Sequence, residues 1–140
     1  MTGLYQLIYS SIRTPSCTDA EIEDILRSCK RNNSKEEITG ILLHSRNRFI
    51  QYIEGTSEIS KLYEKIKLDD RHFNVTLLAY SPIEKRIFPS WQMGFKDIDK
   101  LGFYTSITEK DKIVFNNMIK GDMPEIGIGI SLLKKFFEKA

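Results

Sequence analysis

Residues 38–55 decide the fold, and they read ITGILLHSRNRFIQYIEG. Two runs rich in β-branched, aliphatic and aromatic residues, Ile38–Leu43 and Phe49–Glu54, are separated only by the turn-like segment His44–Asn47. Two such runs joined by a short polar connection are typical of adjacent antiparallel strands. The stretch therefore predicts a β-hairpin that stops at Gly55.

A helix is predicted on each side of this hairpin. On its N-terminal side, Thr18 and Glu21 have the spacing of a capping box, which marks a helix start. On its C-terminal side, Ser57 can cap a second helix. Apolar residues at helical spacing then form one face of each helix: Ile22, Ile25, Leu26 and Cys29 in the first, and Ile59, Leu62, Tyr63 and Ile66 in the second.

Three further strands complete the predicted sheet, at Leu4–Ser10, Val75–Tyr80 and near Trp91–Phe95. Both faces of Leu4–Ser10 carry bulky residues, which favours a central position. The order β-α-β-β-α-β with an extra strand predicts an α+β fold, a ferredoxin-like sandwich with both helices on one sheet face and right-handed helical crossovers.

The pattern changes near Asp97, so we expect one domain at 1–96 and a C-terminal helical extension at 97–140. Short helices are predicted at Thr108–Lys120 and Ser131–Lys139. Their apolar residues either cap the open face of the sheet, which is the simpler interpretation, or form an oligomer interface. These residues are Val114, Phe115, Met118, Ile119, Phe136 and Phe137.

Composition restricts the class of protein. The 140 residues carry 21 basic and 19 acidic side chains, a net charge of +2, which predicts neither a nucleic-acid nor a membrane partner. No apolar run approaches the ~20 residues that span a bilayer, and the N-terminus does not resemble a secretory signal. We therefore expect a cytoplasmic protein in which Cys17 and Cys29 are reduced.

Amide side chains fall on faces that the pattern assigns to the interior. Asn33 shares the apolar face of the first helix, Asn32 lies at the edge of that face, and Gln51 alternates with Phe49 and Ile53 in mid-strand. Buried amides are costly unless they are hydrogen-bonded. The residues therefore indicate either a bound polar ligand, or a helix C-terminus for the two asparagines and a sheet rim or edge for the glutamine.

Other candidate residues have simpler interpretations beside the functional one. A buried tyrosine such as Tyr9 commonly finds one hydroxyl partner. Trp91 and Met93 alternate along a strand, which is usual in a core, and Arg71 with His72 suits a solvated loop. There is no GxSxG, Gly-rich phosphate loop or HExxH motif. The residues therefore predict no enzyme and no metal site.

The combination of motifs resembles the BLUF domain family. The matching stretches are LYQLIYSS at 4–11, NN at 32–33, ITG at 38–40, FIQYIEG at 49–55, DDRH at 69–72 and FPSWQM at 88–93. Their order and spacing both fit over about two thirds of the chain. This resemblance implies a blue-light photoreceptor that binds FAD non-covalently, with the flavin ring between the two helices.

The resemblance also implies a role for particular residues. Tyr9 and Gln51 correspond to the photoactive tyrosine and the switching glutamine, and Trp91 and Met93 to the signal relay in the last strand. The residues implied in flavin binding are Ile25, Asn32, Asn33, Gln51, Lys65, Ile66, Asp69, Arg71 and His72. Lys65 stands where the family often has arginine, so the expected contact to a ring carbonyl would come from a single ammonium group rather than from a planar guanidinium.

The resemblance implies that the excited flavin draws an electron and a proton from Tyr9, and that their return leaves Gln51 rotated or tautomerised. The signal is expected to reach a separate, unidentified protein partner or a homo-oligomer of the chain. Two alternatives stay open. One is a light-insensitive interaction module, and the other is an acylphosphatase-like hydrolase on the same fold, for which Arg13 is the candidate phosphate ligand.

Overall fold

The computed structural model describes residues 3–56, 59–88, 94–97, 108–122 and 125–138. These ranges contain nine elements: β1 (Leu4–Arg13), α1 (Asp19–Glu36), β2 (Thr39–His44), β3 (Arg48–Gly55), α2 (Ile59–Lys67), β4 (His72–Ile83), β5 (Gly94–Asp97), α3 (Glu109–Ile119) and α4 (Ile126–Glu138). The predicted α+β order of elements is therefore confirmed.

The five strands form one sheet in the order β4-β1-β3-β2-β5. The hairpin predicted from residues 38–55 is the antiparallel β2–β3 pair. β1 pairs antiparallel with β3 and β4, which confirms its central position, and β2 pairs parallel with β5. The strands joined by α1 run in the same direction but are separated by β3, the split arrangement of the ferredoxin-like fold.

Several boundaries differ from those predicted. β1 and β4 extend beyond the expected segments because each continues to pair with the other, from Leu4↔Ile83 to Arg13↔His72. α4 begins five residues before Ser131, in spite of two glycines in its first turns. The predicted cap Ser57 lies outside the described residues.

Thr18 caps α1 as predicted, because its hydroxyl accepts a hydrogen bond from the backbone N–H of Glu21 at 3.2 Å. Thr108 caps α3 in the same way, accepting from the backbone N–H of Asp111 at 3.1 Å. Both helices therefore begin where their first free N–H groups find a side-chain acceptor.

The two sheet faces have different coverings, because successive side chains along a strand point to opposite faces. On the first face, α1 and α2 pack through Ile22, Leu26, Ile59 and Tyr63 against sheet residues that include Leu7. This confirms that both predicted helices lie on one face.

On the second face, Phe115 and Met118 of α3 and Leu132 and Leu133 of α4 are buried against the sheet. These contacts place α3 and α4 over the face that the first two helices leave open. Val114 is partly buried in the same cluster. The side chains of Ile119, Phe136 and Phe137 lie outside the described part of the chain, and the division at 96/97 remains a prediction.

Within the described ranges, no helix is both long enough and apolar enough to cross a membrane.

Candidate functional site

A cleft of about 240 Å³ lies between α1, α2 and the first sheet face. Twelve residues line it: Tyr9, Ile25, Ser28, Leu42, Phe49, Gln51, Leu62, Lys65, Ile66, Asp69, Arg71 and His72. These include every predicted site residue whose side chain the structure describes. Residues that are up to 63 positions apart in sequence are therefore brought around one cavity.

Tyr9 and Gln51 form the polar centre of this cleft. They are directly opposite each other in the β1–β3 pair, and each is only 4% exposed. The Tyr9 hydroxyl donates to Oε1 of Gln51 at 2.6 Å. The rim or edge interpretation of Gln51 is therefore wrong, because β3 is the middle strand of the five.

The surroundings of Tyr9 restrict the movement of its ring. Tyr63 of α2 lies 5.9 Å away between ring centroids, and the His72 ring meets Tyr9 edge-on at 6.0 Å. Burial raises the pKa of Tyr63, so its phenol stays neutral at physiological pH. Tyr9 is thus held in an aromatic environment, with its hydroxyl directed at the Gln51 amide.

The amide of Gln51 has two chemically opposite ends. Its carbonyl oxygen accepts the hydrogen bond from Tyr9, which leaves the NH₂ group as the end that can donate. Rotating the side chain would exchange acceptor and donor without changing its shape. Such a group can therefore hold two hydrogen-bond patterns in the same space.

A charged pair, Asp69 and Arg71, also lines the cleft. The Arg71 guanidinium donates from Nε to Oδ1 of Asp69 at 2.9 Å, and the backbone N–H of Arg71 donates to the same oxygen at 3.0 Å. The side-chain hydrogen bonds from Arg71 hold the pKa of Asp69 below its ordinary value. Both side chains are about 30% exposed, so this pair is placed at the mouth of the cleft rather than in a fully solvated loop.

Both ring nitrogens of His72 form hydrogen bonds within the protein. Nε2 lies 2.6 Å from the carbonyl oxygen of Ile66, and Nδ1 lies 2.7 Å from the Ser11 hydroxyl. A carbonyl can only accept, so Nε2 carries a proton, and in the neutral ring Nδ1 accepts from Ser11. His72 thus links α2 to β1, while its ring lines the cavity.

Four lining residues were not predicted. Ser28 and Leu62 lie at helical spacing from Ile25 and Ile66, so the helix periodicity could have indicated them. Phe49 alternates with Gln51 along β3, which is also visible in the sequence. Leu42 could not be found in this way, because only the β2–β3 register places it opposite Gln51.

Four predicted residues cannot be located by their side chains. Asn32 and Asn33 belong to the C-terminal half of α1, but their side chains lie outside those that the structure describes. Trp91 and Met93 fall in the segment 89–93, which also lies outside the described ranges. Their roles stay predictions.

Arg13 is the candidate phosphate ligand of the hydrolase alternative, but its guanidinium forms hydrogen bonds within the protein. It is 8% exposed and donates to the backbone carbonyls of Cys17, at 2.7 and 3.0 Å, and of Ser45, at 2.9 Å. It also pairs with Asp19. The guanidinium therefore closes the β1–α1 connection, which does not favour the hydrolase. Among the residues that the structure describes, no cluster of His, Cys, Asp or Glu has the arrangement of a metal site.

Comparison with known proteins gives one consistent result. Residues 4–94 match the model of the BLUF family, described as sensors of blue-light using FAD. The photoactivated adenylate cyclase subunit beta of Euglena gracilis is 36% identical over 90 residues, which are 64% of this chain and 10% of that protein. The blue light- and temperature-regulated antirepressor BluF of Escherichia coli is 33% identical over 85 residues, 59% of this chain and 21% of that protein.

Solved structures agree with these matches. The dark-state structure of the BLUF protein BlrB superimposes with a TM-score of 0.78 at 26% identity, covering 100% of this chain and 99% of that one. A bacterial light-regulated adenylyl cyclase gives a TM-score of 0.73 at 30% identity, covering 91% of this chain and 39% of that one. The chain thus spans about a tenth of the first curated relative but nearly all of BlrB.

Proposed function

The chain belongs to the BLUF family of blue-light sensors that use FAD, and from that premise we propose that its light-responsive pair is Tyr9 and Gln51. The observation that carries this assignment is the 2.6 Å hydrogen bond between the two side chains inside the cleft. A phenol donates to one end of an amide there, and the two ends of an amide are opposite in hydrogen-bond sense.

The chemistry of the cleft fits a flavin. Ile25 of α1 and Ile66 of α2 line it from two helices and offer apolar walls to a planar ring. Gln51 offers an amide to the polar ring edge, and the Asp69–Arg71 pair lies toward the mouth, where a ribityl chain and phosphates would leave. This separation of apolar and polar surface is typical of cofactor sites.

We propose FAD as the flavin, held without a covalent bond. Asn32 and Asn33 would hold the polar edge of the ring, Lys65 would lie near a ring carbonyl, and Asp69, Arg71 and His72 would surround the ribityl and phosphate portion. His72 would act through its ring and its link between α2 and β1, since both its nitrogens already bond to the protein. When bound, the flavin supplies blue-light absorption and, once excited, an acceptor for an electron and a proton.

The protein's part in the photocycle follows from the Tyr9–Gln51 bond. Tyr9 gives up an electron and its hydroxyl proton, and the proton leaves along the hydrogen bond that already joins it to Gln51. When both return, Gln51 is left rotated or tautomerised, with its donor and acceptor ends exchanged. The dark and lit states then differ by a hydrogen-bond pattern, which is a small change that can bias a two-state element.

We propose that this change is passed to Trp91 and Met93 of the sensor domain at 1–96, and from them to the C-terminal extension at 97–140, whose helices α3 and α4 pack on the sheet. The output would be a protein contact, either with an unidentified downstream partner or within a homo-oligomer. Light-regulated adenylyl cyclases among the relatives support an effector as the recipient. We propose that the chain has no enzymatic activity of its own, and that its partner is neither a nucleic acid nor a membrane.

A cytoplasmic location is proposed on the chemistry of the cysteine that the structure describes. Cys17 is a free, buried thiol, and burial raises its pKa, so it is held in the unreactive protonated form. Reduced thiols of this kind are usual in the cytoplasm.

One spectroscopic experiment tests the proposed function. The purified chain, reconstituted with FAD if necessary, should absorb blue light and show a reversible red shift of the flavin bands after illumination. Mass spectrometry of the released cofactor distinguishes FAD from FMN. A chain that binds no flavin contradicts the proposal, and one that binds flavin without a light-induced shift supports the light-insensitive module instead.

A further inference from the structure

Glu54 carries a fully buried carboxyl group on the middle strand of the sheet. It lies on β3, three residues after Gln51, and its relative exposure is 0%. Because strand side chains alternate, Glu54 points to the sheet face opposite the cleft. A buried carboxylate is costly unless its oxygens are hydrogen-bonded, so its partners indicate why it is there.

Four groups surround the two carboxylate oxygens. The backbone N–H groups of Phe88 and Ile87 donate to Oε1 at 2.7 Å and to Oε2 at 2.9 Å. The hydroxyls of Thr39 and Tyr52 lie 3.0 Å from Oε1 and Oε2, respectively. A carboxylate can accept about four hydrogen bonds. Ile87, Phe88 and Thr39 supply three, and the single proton of Tyr52 lies between Oε2 of Glu54 and Oε1 of Gln6, which is 3.1 Å from the same hydroxyl.

The direction of three of these bonds is unambiguous. Backbone N–H groups can only donate, which settles the contacts from Ile87 and Phe88. The Arg86 guanidinium donates to the Thr39 hydroxyl oxygen at 2.9 Å, so Thr39 has its own proton free to donate to Glu54. Burial and the neighbouring Glu54 raise the pKa of Tyr52, so its phenol also keeps its proton.

These contacts fasten the connection between β4 and β5 to the middle of the sheet. The two strands lie at opposite edges of the sheet. The described residues of their connection, 84–88, are here called the crossing segment, and its Phe88 ring packs against the ring of Tyr52 on the middle strand, with 5.6 Å between the ring centroids. Phe88 also belongs to the same buried cluster as Phe115 and Met118 of α3. The described part of the crossing ends three residues before Trp91.

The two faces of β3 therefore make different contacts. Gln51 faces the cleft, and Glu54, on the opposite face, binds the backbone of the crossing segment. We propose that Glu54 is a positioning residue for signal output, through which a change at Gln51 reaches the crossing segment and the helices α3 and α4. This inference rests on the proposed photoreceptor function. Charge-assisted hydrogen bonds lose strength steeply with displacement, so a small movement of β3 would be felt by both N–H groups.

The test uses the flavin-loaded full chain and the substitution Glu54→Gln, which puts an NH₂ group among donors. Two quantities are measured in dark and light: the flavin spectrum, and hydrogen exchange of peptides covering residues 84–97 and 109–138. Glu84→Gln, an exposed carboxylate in the same connection, is the matched control. Thr39→Val removes one donor from the network and serves as a milder second variant.

We expect the wild type and Glu84→Gln to show the red shift together with a light-dependent change in exchange. Glu54→Gln should keep the red shift, because the cleft is on the other face, but lose the light-dependent change. Thr39→Val should reduce the light-dependent change in hydrogen exchange. If Glu54→Gln does not fold, the result with Thr39→Val tests the role of the Glu54 network.

Two results overturn the inference but not the proposed function. The first is a light-dependent change in hydrogen exchange that is undiminished in these variants, even if exchange is raised in both dark and light. The second is a wild type that shows the red shift but no light-dependent change in hydrogen exchange. A wild type without the red shift contradicts the proposed function, and the inference with it.

Discussion

The Tyr9 hydroxyl donates a 2.6 Å hydrogen bond to Oε1 of Gln51 across the β1–β3 pair, and both residues are buried. The two side chains are direct neighbours because the strand register pairs their Cα atoms, not because they are close in sequence. A phenol can donate to or accept from an amide, and the two ends of the amide are opposite in hydrogen-bond sense. The first two predictions follow from this bond.

Tyr9→Phe should abolish the light-induced red shift while leaving flavin bound, because the ring remains but the donor to Gln51 is removed. The measurement is a difference spectrum of the purified protein before and after illumination. Tyr63→Phe is the control, since Tyr63 packs 5.9 Å from Tyr9 but takes no part in the Tyr9–Gln51 bond. A normal shift in Tyr9→Phe would exclude Tyr9 from the photochemistry.

Gln51→Leu should also abolish the shift, because leucine fills the space without an amide to turn. Gln6→Leu provides a matched control: Gln6 is a buried glutamine on the neighbouring strand, but it bonds to Ser81 and Tyr52 on the opposite sheet face. It should keep the shift even if it lowers stability. If both variants lose the shift alike, general disruption of the sheet is the better explanation.

Gly40→Ala should destabilise the protein by about 3 kcal/mol, near the upper end of the usual cost of overpacking. A Cβ at Gly40 would lie 2.0 Å from the backbone oxygen of Tyr52, which cannot move aside. Gly127→Ala in α4 meets nothing within 4 Å and should be neutral or up to about 1 kcal/mol more stable. Urea unfolding of the two variants checks both, and equal effects would contradict the close approach at Gly40.

Phe115→Ala should cost about 3–5 kcal/mol of unfolding free energy, because the side chain is fully buried between α3 and the second sheet face. Ile113→Ala, two residues earlier and 63% exposed, should stay within about 0.5 kcal/mol of the wild type. Chemical denaturation measures both changes. A small loss at Phe115 would mean that α3 does not cover the sheet in solution.

Asp69 should make part of the stability pH-dependent. Hydrogen bonds from Arg71 lower its pKa below 3.8 in the folded state, so the unfolded state binds more protons in acid. The stabilising contribution is complete at neutral pH, starts to fall as the pH approaches 3.8 and is lost below the folded-state pKa. Asp69→Asn should therefore be less stable than the wild type at neutral pH, with the difference closing in strong acid.

Urea midpoints measured across that pH range test the Asp69 prediction. Asp70→Asn is the control, because Asp70 is the exposed neighbour. A stability difference between Asp69→Asn and the wild type that stays the same at every pH would show that the Asp69–Arg71 pair does not act through ionisation.

Local patterns in the sequence predicted the order of elements and the family. The capping pattern at Thr18, the alternation through Phe49–Glu54 and the helical spacing of Ile25 and Ile66 each depend on residues that are near one another in the chain. The motifs also indicated all eight site residues whose side chains are described, and the structure brings these eight around one cleft. Their individual roles remain proposals.

Tertiary structure alone decided how these residues meet. The strand order put Gln51 in the middle of the sheet instead of at its rim, and the β1–β3 register made it the partner of Tyr9. The crossing from β4 to β5 brought Ile87 and Phe88 to Glu54, a network that no spacing in the sequence indicates. The reason is physical: periodicity reports which face a side chain takes on its own element, whereas strand order and register depend on pairing between distant segments.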